Sequence, residues 1–205
     1  APLLQARAAA VAHARPYRLY AWSNAGSLLA IAAHPLLLEP RWGAGAQGRG
    51  WSWAYAGFAL VLAGALWPTR HADAAPPATG GPAPAPGDHR RWVGWSALGS
   101  ALLVSVSGTI SEDLSVTPLF WVVPLGLYLL SFIVVFADQS WAPRRVFGPL
   151  ALLAAAGLAA LLLVGYHAPW WLQLGGYCAA LFVGCLWLHG ELVRARPGPA
   201  HLTGF

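Results

Sequence analysis

The stretch LWLHGELVRARPGPAHLTGF places His189, Glu191, Arg194 and His201 where an apolar run, Leu181 to Leu188, gives out. Imidazole, carboxylate and guanidinium groups gathered at one level can pair as ions, pass protons or hold a small polar solute. Asn24 joins them, about one and a half turns inside the corresponding end of the first apolar segment at 3.6 residues per turn. These five residues form a candidate inner polar cluster, in which Asn24 and Glu191 are expected to share a contact. His189, Glu191 and His201 are also metal-ligating types, but their spacing matches no established metal motif. The plainer reading is that His189 marks a water boundary and that Arg194 and Arg196 are charged anchors beyond it.

A second candidate cluster lies toward the opposite ends of the segments. AHPLLLEP contributes His34 and Glu39, and SGTISEDLSVTP contributes Glu112 and Asp113. Acidic groups beside low-dielectric walls focus field and would draw a cation or amine. The plainer reading is a solvated acidic loop.

No nucleophile and base stand at a recognisable spacing. GAGAQGRG, residues 43–50, lacks the strand–turn–helix setting of a phosphate loop and reads as an outer turn between two apolar segments. No catalytic, cofactor-binding or metal residue is assigned, and no cofactor is expected in this segment. Cys178 and Cys185 would lie about 10 Å apart along one helix, too far for a disulfide.

The composition decides which elements must position these groups. The 205 residues are 58% hydrophobic and 9% charged, with a mean hydropathy of +0.55. A soluble domain carries about 25% charged residues, so this chain has too little charge to cover a water-facing surface. A bilayer core takes about 20 apolar residues per helix. Six stretches qualify: Leu19–Leu38, Trp51–Trp67, Trp92–Ile110, Pro118–Ala137, Val146–Tyr166 and Trp170–His189. The runs are long and lack two-residue alternation, which favours helices over strands. The expected fold is all-α: a polytopic membrane protein of about six transmembrane helices. With no Met in the chain, it reads as truncated at both ends. Tryptophans and tyrosines near the segment ends form an interfacial belt.

All twelve basic residues are arginines. With the N-terminus in the cytoplasm, only Arg41 and Arg49 fall outside, so the positive-inside rule puts both ends of the segment in the cytoplasm of a bacterial inner membrane. Topology thereby accounts for the net charge of +5, and no nucleic-acid partner is expected. The expected organisation is a tail of a preceding helix or interfacial segment (1–16), a two-span hairpin (17–68), a disordered Pro/Ala/Gly linker (69–91), a four-span bundle (92–189) and a cytoplasmic segment (190–205) leading to a missing C-terminal part.

Helices in lipid associate through small residues. Gly176, Ala180 and Gly184 form one such stripe, Ala156, Gly157 and Ala160 a second, and Gly26 and Ala30 a third. The serines of the third segment, from Ser96 to Ser107, suggest a face turned to protein. Pro35 and Pro124 are expected to kink their helices.

PYRLYAWSNAGSLLAIAAHPLLLEP resembles the membrane region of bacterial spermidine synthase-like proteins, the fused transporter-like/spermidine synthase group. Members carry a similar Tyr-x-Leu-Tyr-Ala-x-Ser-Asn-x-Gly-Ser-Leu-Leu-Ala segment ending in Leu-x-Glu-Pro, here Tyr17–Pro40. TPLFWVVPLGLYLLSFIVVFA (Thr117–Ala137) and HGELVRARPGPAHLTGF (His189–Phe205) extend the likeness in the same order. The chain departs from the family pattern at His34, to which the resemblance gives no role. The resemblance implies a multi-span region followed by further helices and a cytoplasmic aminopropyltransferase-like domain of Rossmann type. That domain's polyamine-binding acids and Gly-rich loop map onto no residue here.

Two functions follow as expectations. The first is a membrane region that anchors or serves that cytoplasmic domain, with the bilayer, additional helices and the domain itself as partners, and no catalysis by this segment alone. The alternative is a permease-like bundle for a small solute such as an amine, with a structural scaffold as a third reading. Transporters commonly place ionisable groups near the midplane, and this segment has none there.

Overall fold

In the structure, a computed structural model, residues 18–67, 84–114, 121–138 and 143–197 are described. They form six α-helices, and no strand occurs among them. Helix α1, Arg18–Ala33, runs on into a π turn, His34–Leu38. Helix α2 is Ala44–Leu66, and α3, Asp88–Thr109, runs on into a π turn at Ile110–Leu114. Helix α4 is Val122–Ala137, α5 is Arg144–Val164 and α6 is Trp170–Arg194. Three are long and apolar enough to cross a membrane by length and composition: Asp88–Glu112, Arg144–Val164 and Trp170–Arg194. Val122–Ala137 is apolar but shorter.

Helix α6 is the hub, with α3, α4 and α5 packed against it. Its buried residues recur at three- and four-residue steps (Gln173, Tyr177, Ala180, Leu181, Cys185, Leu188, His189, Leu192), the spacing that keeps side chains on one broad face. Helix α1 packs on α4, while α2 makes no extensive contact with any other helix. The first two segments therefore do not pack as a hairpin unit: α1 belongs with the last four.

Two core layers result. Ala21, Trp92, Val135, Phe136, Leu186, Leu192 and Val193 meet at one end of the bundle. Val106, Ile110, Tyr177, Leu181 and Cys185 meet toward the other. Outside these layers the surface is apolar: Leu152, Leu163 and Val104 are exposed, and every described side chain of α2 from Trp51 onward is exposed or half-buried. Exposed apolar surface of this extent marks a face that meets a membrane or another protein.

Contacts decide which small-residue stripes pack. A methyl group at Gly176 would collide with Leu161 of α5, and one at Gly184 would lie 2.8 Å from Leu102 of α3. The α6 stripe is thus an intramolecular seam. The stripes at Ala156–Ala160 and Gly26–Ala30 point outward, and nothing lies within 4 Å of a methyl placed at Gly26 or Gly157. In α3 the packed face is not the serine face. Trp92, Gly99 and Val106, seven residues apart, are buried, and Ser96, Ser100 and Ser105 are exposed. A hydroxyl can bond back to its own helix, as Thr109 Oγ1 does to the Ser105 carbonyl at 3.0 Å, and so needs no neighbouring helix.

Helix ends also differ from the sequence reading. Residues 44–50 are the first two turns of α2 rather than a turn between helices, entered from Gly43, with Gln47 Nε2 donating to the Trp42 carbonyl at 2.7 Å. Pro124 lies in the first turn of α4, where its missing N–H would be unpaired in any case, so it makes no mid-helix kink. Pro35 does distort its helix: the ladder widens to the π turn around it, and Arg41 Nη1 donates to the carbonyls of Leu36 and Leu37 at 3.3 and 3.1 Å. Helix α6 continues beyond His189 to Arg194, and residues 190–193 are buried, so the expected boundary at 189/190 falls inside a packed helix.

Candidate functional site

Alternating chain direction gathers the N-terminal ends of α1, α3 and α5 with the C-terminal ends of α4 and α6. Trp92, near the start of α3, donates its indole N–H to the Ala195 carbonyl just past α6 at 2.7 Å. That carbonyl is one of the last-turn acceptors a helix cannot satisfy internally. Tyr20 of α1 packs its ring 5.5 Å from Phe136 of α4. Arg18, Arg90, Arg91, Arg144, Arg145, Arg194 and Arg196 consequently share one end of the bundle.

Glu191 sits among them. Its side chain is 10% exposed, and one oxygen, Oε1, accepts from Arg194 Nη1 at 2.9 Å and forms an ion pair with Arg144 Nε at 3.2 Å. Arg194 lies one turn along the same helix and is 26% exposed. Arg144 reaches across from α5 and is 71% exposed. The first arm is sheltered, whereas the second is open to solvent and salt. With Arg91, Trp95 and Ala195 these residues line a cleft of about 470 Å³.

About half a turn deeper along α6, His189 is fully buried. It does not mark a water boundary. Its ring lies 3.7 Å, centroid to centroid, from that of Phe132 at a tilt of 32°, and meets Tyr128 nearly perpendicularly at 5.0 Å. Nδ1 is 2.8 Å from Ser131 Oγ, and Ser131 donates its one hydroxyl proton to the Tyr128 carbonyl at 2.6 Å. The serine oxygen can therefore only accept from the ring, which puts the imidazole proton on Nδ1. Nε2 has no hydrogen-bond partner among the described residues and faces Gly99 of α3, where a methyl group would sit 3.3 Å from it.

Of the inner cluster expected from sequence, the structure joins Glu191 and Arg194. His189, on a different face of α6, turns to α4. Asn24 is half-buried and donates to the Tyr20 carbonyl of its own helix at 2.7 Å, so Asn24 and Glu191 have separate partners rather than a shared contact. His201 lies outside the described residues. In the outer cluster, His34, Glu39 and Glu112 are exposed, and no ion pair or side-chain hydrogen bond joins them among the described residues. The Asp113 side chain lies outside the described part. No three of His, Cys, Asp and Glu converge among the described residues, and Cys178 and Cys185 are both free thiols.

Sequence reasoning did not find Arg144, Ser131 or Gly99 as site residues. Ser131 carried a signal, being the one small polar residue inside LYLLSFIVV. Gly99 carried one too, lying midway between Trp92 and Val106 at seven-residue steps. No protein-family model, no curated protein and no solved structure matches the chain.

Proposed function

We propose that this chain is the polytopic membrane region of a spermidine synthase-like protein, with six helices crossing a bacterial inner membrane and the arginine-rich end in the cytoplasm. In this reading it anchors or serves an aminopropyltransferase-like domain on that side. The observation that carries the membrane part is the charge distribution: seven of the nine described arginines gather at one end of a bundle with an apolar exterior, leaving Arg41 and Arg49 elsewhere. The positive-inside rule turns that asymmetry into an orientation. The sequence likeness at Tyr17–Pro40, Thr117–Ala137 and His189–Phe205 supports the family part.

An amine permease would need an acid inside the bundle free to meet the cation. Glu191, the one buried acid among the described residues, is held by two arginines. That favours the anchoring function. Single cysteines placed near Arg90, Arg145 and Arg41 test the orientation. A membrane-impermeant thiol reagent added to intact cells should label only the third. Labelling at Arg90 or Arg145 overturns the topology. For the family part, affinity purification of the full-length protein should recover aminopropyltransferase activity in the membrane fraction, and its consistent absence there argues for the permease.

A further inference from the structure

Helices α3 and α5 both lie on α6 but make no extensive contact with each other, so a seam opens between them. The arginine cleft occupies the head of that seam. Below it, on the same three helices, runs an apolar groove of about 190 Å³, lined by Leu102 of α3, Gly148, Ala151 and Ala155 of α5, and Gly184 and Leu188 of α6. Trp95 borders the cleft and Trp187 the groove, and their rings meet edge to face at 5.4 Å where the two join. The groove begins about one turn below Arg144 and extends about 10 Å further along α5, at 1.5 Å per residue.

Three guanidinium groups face one carboxylate in the cleft, which leaves it net positive. Arg91 has no acidic partner among the described residues, and Arg144 is largely exposed, so both retain donors for an incoming anion. The first turns of α3 and α5 have no side-chain cap, and their dipoles add positive potential on the same side, offset in part by Asp88 in the first turn of α3 and by the C-terminal end of α6. A phosphate group suits such a fork of arginines. A free phosphate would use the cleft alone. A molecule with a phosphate head and a hydrocarbon chain uses both parts.

We propose that this seam seats one anionic phospholipid of the inner leaflet, its phosphate held by Arg91, Arg144 and Arg194 and an acyl chain lying in the groove between α3 and α5. The site rests on the membrane reading above, because it needs the arginine end at the headgroup level. Basic pockets between helices at the cytoplasmic face are a recognised setting for acidic headgroups.

The test reconstitutes the full chain into nanodiscs of phosphatidylcholine containing a minority of phosphatidylglycerol, and counts retained lipid by native mass spectrometry. Preferential retention of phosphatidylglycerol is expected. Arg91→Gln should lower it about tenfold, the factor equivalent to the roughly 1.5 kcal/mol of a direct hydrogen bond to a charged group. Arg90→Gln removes the same charge outside the cleft and should leave retention unchanged. Gly148→Leu fills the groove without altering charge and should also lower retention; a methyl there meets only Trp187, at an ordinary 3.8 Å. Equal effects of the two arginine variants, indifference to Gly148→Leu, or equal retention of the two lipids overturns the site. In pure phosphatidylcholine discs, millimolar inorganic pyrophosphate should not raise the thermal midpoint. A rise abolished by Arg91→Gln makes the cleft a site for a soluble phosphate and overturns the lipid. Insertion without lipid preference removes this site alone, whereas failure to insert removes the membrane reading and the site together.

Discussion

His189 and Ser131, 58 residues apart, are joined by a 2.8 Å contact that fixes the ring's proton on Nδ1 and locks α6 to α4. Ser131 is itself held by the Tyr128 carbonyl, so the three groups form one chain of hydrogen bonds inside an aromatic box. Ser131→Ala strands the ring N–H in a buried site, a loss of about 1–3 kcal/mol. His189→Leu with Ser131→Ala removes both polar partners together. The double variant is expected to be less destabilised than the sum of the singles in thermal unfolding in detergent. Additive losses would mean the contact contributes nothing beyond packing.

Gly99 is where α3 passes that ring. Gly99→Ala puts a methyl 3.3 Å from His189 Nε2 and 3.7 Å from Tyr128, in a box with little room to give. Overpacking of this kind costs about 1–3 kcal/mol, against which alanine returns up to about 1 kcal/mol of helix propensity. Gly157→Ala meets nothing within 4 Å and receives the propensity gain alone. The expected order of thermal midpoints is Gly157→Ala at or above the parent, and Gly99→Ala below it. The reverse order would show that α3 and α6 do not approach as described.

How these positions read in sequence follows from what each depends on. The helices were legible because an unbroken apolar run can satisfy its backbone in only a few ways. The stripe Gly176–Ala180–Gly184 was legible too, because it lies on the hub helix, where any small-residue face has a neighbour. The stripes at Gly26 and Gly157 have the same spacing, but their helices meet neighbours on other faces; spacing gives a face and not its occupant. The end of the apolar run does not give the depth of His189, whose burial is set by α3 and α4 standing beside α6 through its last turn. Arg144 was read only as a topological charge. Its contact with Glu191 depends on α5 packing along α6, which no local pattern records.

The two arginines on Glu191 are unequal, and variants should reveal it. Arg144→Gln removes an arm that is 71% exposed, so its cost should stay under about 1 kcal/mol and shrink with added salt. Arg194→Gln removes the sheltered arm and should cost more, about 1.5–3 kcal/mol for a hydrogen bond to a charged group. Removing both leaves a nearly buried carboxylate without either partner, and a loss of about 3–5 kcal/mol is expected. Adding Glu191→Gln to the double variant should restore much of that loss. Thermal midpoints at low and high salt check the series. Equal effects of the two single variants would contradict the difference in exposure.

Pro35 offers a test of the π turn that ends α1. Within an unbroken helix a proline loses one amide donor and crowds the carbonyl four residues earlier, a cost of about 3 kcal/mol relative to alanine. Here the ladder has widened over His34–Leu38, and Arg41 bonds two of the carbonyls near its end, so part of that cost is already relieved. Pro35→Ala should let the turn tighten toward regular α geometry and raise the thermal midpoint, by less than the full figure. Arg41→Ala in the parent should lower the midpoint, and in the Pro35→Ala background its effect should shrink. Backbone carbon chemical shifts over His34–Glu39 report the geometry directly. Unchanged shifts in Pro35→Ala would show that the π turn is held by the surrounding chain and not by the proline.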